Sequence, residues 1–280
     1  MHSVFSDGTD SPPGIIGKVR DAGISVFSLT DHDAVKGCES IIECLSSDDP
    51  RFITGAEFSC RDDDGRYHIL GYGFDPEAGS ISDIVGIGHR FRMKKITARL
   101  EFIKNEFGFD FPEEEKTRLI SMLNPGKPHI AELMVKYGYA ENVIQAFEYI
   151  DRLRFHSEYL RPEQAIKGVI DGGGIPVLAH PAFGNGSQHI TGDDLKKRIE
   201  RLMGFGLRGV EAFYSGFDKR LTSEILGYAE MYDLYVTAGS DYHGTTKKVS
   251  IGDTGCLAEL DPPEGLLRFL RDVNEAQRGG

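Results

Sequence analysis

The chain has 280 residues, 40% of them hydrophobic and 27% charged, with a formal net charge of −12. That composition belongs to an ordinary globular protein, not a fibrous or low-complexity one. The acidic balance excludes broad binding to duplex nucleic acid, which needs many Lys and Arg on phosphates, but leaves room for a small phosphorylated ligand held through cations.

No apolar run is long enough to cross a bilayer, and the first residues carry no signal-peptide pattern, so a cytoplasmic protein is expected. Cys38, Cys44, Cys60 and Cys256 are scattered, without close pairs, and read as reduced thiols.

The chain opens MHSVFSDGTD, which places His2 and Asp7 close together before any strand. A helix-like stretch over 12–22 leads into an apolar, β-rich run at 24–30 that ends in Asp31-His32-Asp33. Similar runs recur at 51–59, 67–74, 175–179, 207–213 and 234–238, and helical patterns at 161–171, 193–204 and 218–233 separate the later ones. Strands alternating with helices predict parallel pairing in an α/β fold, either a barrel or an open sheet.

Between about 80 and 157 the β pattern stops. Charged helical segments take its place at 82–107, 112–123, 128–137 and 142–152. The expected organisation is a barrel made of 1–80 and 158–280 with a small helical subdomain, 81–157, inserted to bind substrate; long crossover helices within one domain are the alternative. The run Gly172-Gly173-Gly174 reads as a helix stop, since no GK[ST] follows it.

Histidines and carboxylates recur at the ends of the strand-like runs: His32, Glu57, His180 of AHP, and Asp241 and His243 of GSDYHG. In α/β barrels the C-terminal strand ends converge on one face, where active sites form. Each residue alone is weak: Asp31 and Asp33 could be helix N-caps, and Pro181 simple turn chemistry. Jointly, His2, Asp7, His32, Glu57, His68, His180, Asp241 and His243 form an oxygen and imidazole ligand set suited to Zn, Mn or Fe.

In order, HSVFSDGT, SLTDHD, GAEFS, HILGYG, VLAHP and GSDYHG resemble the PHP family, named for polymerase and histidinol phosphatase, over nearly the whole chain. Gly126-Lys127-Pro128-His129-Ile130-Ala131 is similar to the GRPHIA stretch of small stand-alone PHP phosphoesterases that act on nucleotides. The resemblance implies a distorted (βα)7 TIM-like barrel and two to three divalent metal ions. His2, Glu57 and Asp241 would hold the first, and Glu57 would bridge to a second held with His68 and His180. Asp7, His32 and His243 would hold the third.

The family's first motif is His-x-His at a strand end, and only His2 matches it. The expectation is that a strand and a further His precede the present first residue, with a protein that lacks the strand and holds its first metal poorly as the alternative.

The implied reaction is hydrolysis of a phosphomonoester by a metal-bound hydroxide. The substrate would be a nucleoside 3′,5′-bisphosphate losing its 3′-phosphate, with short RNA 5′ ends as a possible extension. Lys127, His129 and Arg92 are the candidate substrate contacts, Lys127 standing where the subgroup shows Arg. Histidinol-phosphate phosphatase is the rival activity, and a catalytically inert metal-binding PHP module is the rival of another class.

Overall fold

The computed structural model describes residues 1–153, 158–183 and 189–278. The expected C-terminal end of the insert, 154–157, lies outside the described residues.

Seven strands are present among them: β1 (Val26–Ser28), β2 (Arg51–Ile53), β3 (Gly55–Asp62), β4 (Gly65–Tyr72), β5 (Ile175–Leu178), β6 (Gly209–Tyr214) and β7 (Tyr235–Gly239). Strands β1 and β2 form a parallel pair, and β3 to β7 form a five-stranded sheet in chain order. The two sheets are stitched together at His32. The register that sets Val26 against Arg51 resumes where His32 stands opposite Glu57. There the Glu57 amide donates to the Asp31 carbonyl (3.1 Å) and the Asp33 amide to the Glu57 carbonyl (2.9 Å).

The far edges, β1 and β7, do not pair with each other. Met1 and His2 lie between their ends: the Thr30 amide donates to the Met1 carbonyl (2.9 Å) and the His2 amide to the Tyr242 carbonyl (2.8 Å). The fold is therefore TIM-like, with seven strands whose hydrogen bonding does not close into a ring among the described residues.

The expectation of parallel pairing is corrected at β4, which runs antiparallel to both β3 and β5. Only Asp63 and Asp64 separate the paired residues Asp62 and Gly65. Two residues can reverse the chain but cannot carry it back for a parallel crossover. Gly65 adopts φ 132°, a conformation open to glycine and strained for other residues. Pairs β5–β6 and β6–β7 are parallel, as predicted.

Helices α1 (Pro12–Asp21) and α2 (Lys36–Cys44) flank β1. In α1, Ser11 caps the first turn through Oγ, which accepts from the Gly14 amide. Helices α7 (Pro162–Asp171), α8 (Gly192–Met203) and α9 (Lys219–Met231) cover one face of the large sheet, packing Ile166, Ile199 and Ile225 with Phe58, Ile69, Val210 and Phe213. On the other face Leu70, Tyr72 and Val177 meet Phe269 and Val273 of α10 (Glu264–Arg278).

Helix α3 (Gly79–Phe107) runs 29 residues and serves two cores. Its Ile81 and Ile84 pack with the sheet. Its Ile96 and Ile103 pack with Phe111, Leu119, Ile130, Met134 and Ile150. The last four, with Phe111 just ahead of them, come from or beside α4 (Glu113–Ser121), α5 (Lys127–Lys136) and α6 (Val143–Ile150). The helix stops at Gly108, φ 74°, whose amide bonds back to the Ile103 and Lys104 carbonyls.

Candidate metal centre

The N-terminal loop is folded back on itself to deliver His2. The Ser6 and Gly8 amides both donate to the Ser3 carbonyl (3.0 Å each), and a side chain at Gly8 would overlap the His2 carbonyl. Asp31, fully buried, pins this loop to the end of β1. It accepts from the Ser3 amide (2.7 Å), Ser3 Oγ (2.7 Å) and Ser6 Oγ (2.6 Å). Neither Asp31 nor Asp33 is a helix cap, because α2 begins at Lys36 with Val35 at its N-cap position.

Eight side chains meet at this end of the sheet. Glu57 lies at the centre: Oε2 is 3.0 Å from His2 Nε2 and 3.7 Å from His32 Nδ1. Its other oxygen, Oε1, is 2.6 Å from His68 Nδ1 and 3.2 Å from His180 Nε2. Asp241 Oδ1 stands 3.1 Å from His2 Nε2. Asp7 Oδ1 stands 3.3 Å from His243 Nε2, and Asp7 Oδ2 is 4.0 Å from His32 Nε2.

Three overlapping groups have all their donor atoms within 4.8 Å of one another: His2, Asp7, His32 and His243; His32, Glu57 and His68; His2, Glu57 and Asp241. His180 approaches both His68 (3.3 Å, nitrogen to nitrogen) and Glu57.

This set fits divalent cations. His2 Nε2, Asp7 Oδ1 and His32 Nδ1 are buried and lack a hydrogen-bond partner, although oxygens or nitrogens stand close by. Donor atoms that crowd together without hydrogen-bonding one another are aimed at a shared point, as ligands are. Buried polar atoms without partners are costly, and a cation there would satisfy them.

The electrostatics are those of a tightly coupled cluster. Burial pulls the His2 imidazole down, but the Asp241 and Glu57 carboxylates outweigh it and hold its pKa at about 9. Burial dominates at His32 and lowers its pKa to about 3. Burial pushes the Glu57, Asp7 and Asp241 carboxyls upward, yet the surrounding imidazoles keep each well below the usual carboxylate range.

Among the described residues, three of the four non-glycine residues at positive φ belong to or adjoin this centre: Asp33 (49°), His180 (28°) and Asp241 (53°). Such backbone persists only where its surroundings enforce it. At His180 the enforcing group is Glu211, whose Oε2 accepts from the His180 amide (2.8 Å). At Asp241, Oδ2 accepts from Tyr214 Oη (2.9 Å) and from Lys247 Nζ (2.6 Å).

Glu211, Tyr214 and Lys247 were not among the predicted site residues. Glu211 had a readable signal, a lone carboxylate inside the apolar strand GVEAFY, and burial raises its pKa to about 7. Tyr214 and Lys247 had none, since their roles depend on where Asp241 points.

The predicted substrate contacts lie in three different places. Arg92, on α3, sits beside the centre: one Nη is 2.5 Å from Asp33 Oδ2 and 3.5 Å from Ser59 Oγ. Its Nε is buried without a partner. His129 Nδ1 accepts from the Gly126 amide (2.8 Å), closing the first turn of α5, and Gly126 itself lies against Asp7. Lys127 faces α6: its ammonium is 3.0 Å from both Asp151 oxygens and 4.2 Å from the Phe147 ring centroid.

An α/β fold that gathers imidazoles and carboxylates at its strand ends is built to hold divalent cations. The PHP domain model matches residues 1–161, more than half the chain, and the chain belongs to the PHP family.

Two curated relatives are each 26% identical over 262 residues. One is a 5′-3′ exoribonuclease of Haemophilus influenzae, matched over 90% of this chain and 91% of that protein. The other is a phosphoribosyl 1,2-cyclic phosphate 1,2-diphosphodiesterase of Eggerthella lenta, with coverages of 89% and 94%. Two solved structures share the fold, each covering 98% of this chain and 94% of its own. A candidate metal-dependent phosphoesterase from Bifidobacterium adolescentis has TM-score 0.82 at 23% identity. An amidohydrolase from Chromobacterium violaceum, solved with sulfate and no metal, has TM-score 0.81 at 22%.

Among the described residues no helix is long and apolar enough to cross a membrane.

Proposed function

We propose that this chain hydrolyses a phosphomonoester of a small nucleotide, the 3′-phosphate of a nucleoside 3′,5′-bisphosphate. The observation that carries the phosphoesterase chemistry is the convergence of seven imidazole and carboxylate side chains in overlapping groups, with His180 against Glu57 and His68, on a centre with buried, unpartnered atoms. The nucleotide preference rests on the Gly126–Ala131 stretch and on the helical segment that brings it against Asp7.

His2, Glu57 and Asp241 would hold one divalent cation, Glu57, His68 and His180 a second, and Asp7, His32 and His243 a third, with Mn, Fe or Zn all suited to these ligands. Such ions lower the pKa of water and neutralise phosphoryl oxygens. The chain's own part is positioning. Asp31 fixes the His2 loop, Glu211 fixes the strained backbone of His180, and Tyr214 and Lys247 orient the Asp241 carboxylate. Arg92 sits where a substrate oxygen beside Asp33 would meet a cation. The helical segment, described over residues 81–153, would supply the wall that faces the substrate.

A second reading, cleavage of RNA from its 5′ end, is favoured by the exoribonuclease relative that matches nearly the full chain. Release of inorganic phosphate with Mn²⁺ from adenosine 3′,5′-bisphosphate and histidinol phosphate, set beside release of mononucleotide from a 5′-phosphorylated pentaribonucleotide, separates these readings. Release from the bisphosphate far above the others is expected. Preference for histidinol phosphate would replace the substrate, and metal uptake without release from any ester would make the chain an inert metal-binding module.

A further inference from the structure

Asp7 and His243 face each other across the centre, Oδ1 to Nε2 at 3.3 Å, yet they come from opposite ends of the chain. The other candidate ligands have anchors of their own. Asp31 pins the His2 loop, Glu211 holds His180, and Tyr214 and Lys247 hold Asp241. Glu57 and His68 stand in paired strands, and His32 bridges to Glu57. The Asp7 carboxylate, among the described residues, meets only imidazoles of the centre itself.

A small hydrogen-bonded cluster beside the centre joins the two loops that carry Asp7 and His243. Lys18 Nζ, from α1, donates to Asp10 Oδ2 (2.7 Å) and to Tyr242 Oη (2.7 Å), and Tyr242 Oη donates to the same Asp10 oxygen (2.6 Å). Tyr242 is buried, and the half-exposed Lys18 ammonium lies 5.4 Å from its ring centroid. Tyr242 stands directly between Asp241 and His243, and Asp10 closely follows Asp7.

The backbone of the same residues ties the loops further. The Asp10 carbonyl accepts from the Val4 amide (2.9 Å), closing the loop around Asp7, and the Tyr242 carbonyl accepts from the His2 amide (2.8 Å). Next to this, Thr9 Oγ1 accepts from the Thr245 amide (3.0 Å), and Gly244, at φ 72°, has no room for a side chain against that hydroxyl. His243 Nδ1 lies 2.8 Å from the Asp241 carbonyl; a proton held there leaves Nε2 bare toward Asp7.

Resting on the three-cation reading above, we infer that Lys18, Asp10 and Tyr242 form a latch that positions Asp7 and His243, and so sets the affinity of the cation those two would share with His32. Their side chains act through the loops, as positioning residues. Each bond in the latch is assisted by charge, and partners outside the ligand shell are worth 10–100-fold in metal affinity. Since the remaining ligands are anchored elsewhere, loss of the latch falls on one cation of the three.

The test titrates metal-stripped protein with Mn²⁺ by calorimetry and counts bound equivalents by mass spectrometry after dialysis at fixed Mn²⁺. Tyr242→Phe and Lys18→Met should each weaken one equivalent about tenfold and leave the other two at wild-type affinity. Lys18→Arg keeps a charged donor and should recover most of the loss. Co²⁺ loading adds a spectroscopic reading: in Tyr242→Phe the visible absorption of one equivalent should change while the others superimpose on the wild type.

Wild-type affinity for every equivalent in Tyr242→Phe would overturn the latch. So would parallel weakening of all equivalents together with a lower Tm of the metal-free protein, the result of a purely structural role, or a wild type that takes up fewer than three. Turnover does not enter these measurements: selective loss of one cation from a protein that hydrolyses no ester would sink the phosphoesterase reading and leave the latch standing.

Discussion

Glu57 and His68 face each other through Oε1 and Nδ1 at 2.6 Å, while the opposite oxygen of the same carboxylate faces His2. One side chain thus serves both halves of the centre. Glu57→Gln should remove at least one equivalent of bound metal and lower kcat/KM by roughly 10²-fold or more, given that even outer partners of metal ligands are worth 10–100-fold. Metal content by mass spectrometry of purified protein, alongside phosphate release, checks this; a full metal complement in the variant would contradict the shared role. Stripping the wild type with a chelator should also lower Tm, with Mn²⁺ restoring it, because a cation at a hundred times its Kd stabilises by about 2.7 kcal/mol.

Arg92 neutralises Asp33, a buried carboxylate whose amide is bound to the Glu57 carbonyl. Arg92→Ala leaves that charge uncompensated and should cost about 3–5 kcal/mol of stability. Arg92→Lys keeps the charge and should recover much of it, though not the second contact to Ser59. Denaturant unfolding of the three proteins reads the ordering directly. If alanine and lysine behave alike, the ion pair carries no weight.

The four cysteines are free, and only Cys44 is exposed. Burial pushes the Cys38 thiol up to about 12 and the Cys60 thiol well above its usual value. At pH 8 a disulfide-exchange reagent should therefore titrate one thiol in the native protein and all four in denaturant. Fast labelling of Cys38, which bonds to the Gly55 carbonyl at 2.9 Å, would mean the junction between β2 and β3 opens readily.

Lys95 gives a pH signature. Its folded pKa of about 7 lies below the ordinary 10.5, so the folded state carries the charge at a penalty below pH 7. Between 7 and 10.5 the unfolded chain binds more protons, and stability from this group rises with pH. The groups facing it are Arg92 and Arg99 on its own helix, Arg66 on β4, Tyr159, and Asp33 beyond β1. Lys95→Met should raise Tm most at pH 6, the gain shrinking toward pH 10. A gain independent of pH would point to packing instead of charge.

Much of this was readable beforehand because the signals were local. The strand runs ending in His or carboxylate, the helical stretch after Tyr72 and the types of the eight clustered residues all follow from short windows of sequence. The reversal of β4 was legible only through the Asp63-Asp64 turn, and the alternation of strands with helices elsewhere hid it. Asp31 and Asp33 have the look of caps because short carboxylates before a helix usually are; here tertiary partners, Ser3 and Arg92, take them first. Tyr214, Lys247 and the cluster around Tyr159 depend on which side chains the fold brings face to face, and no local pattern encodes that.

Helix α3 belongs to two cores at once, and its 29 residues extend about 44 Å as one rod. Arg92 is tied to Asp33 beyond the end of β1 while Ile96 and Ile103, further along the same rod, are packed among α4, α5 and α6, so the spacing between strand ends and helical segment is set by helical pitch and not by a loop. The helix works as a strut: a break within it would let the segment carrying Lys127 and His129 drift away from the strand ends, so the continuity of one rod holds two separate cores in a fixed relation.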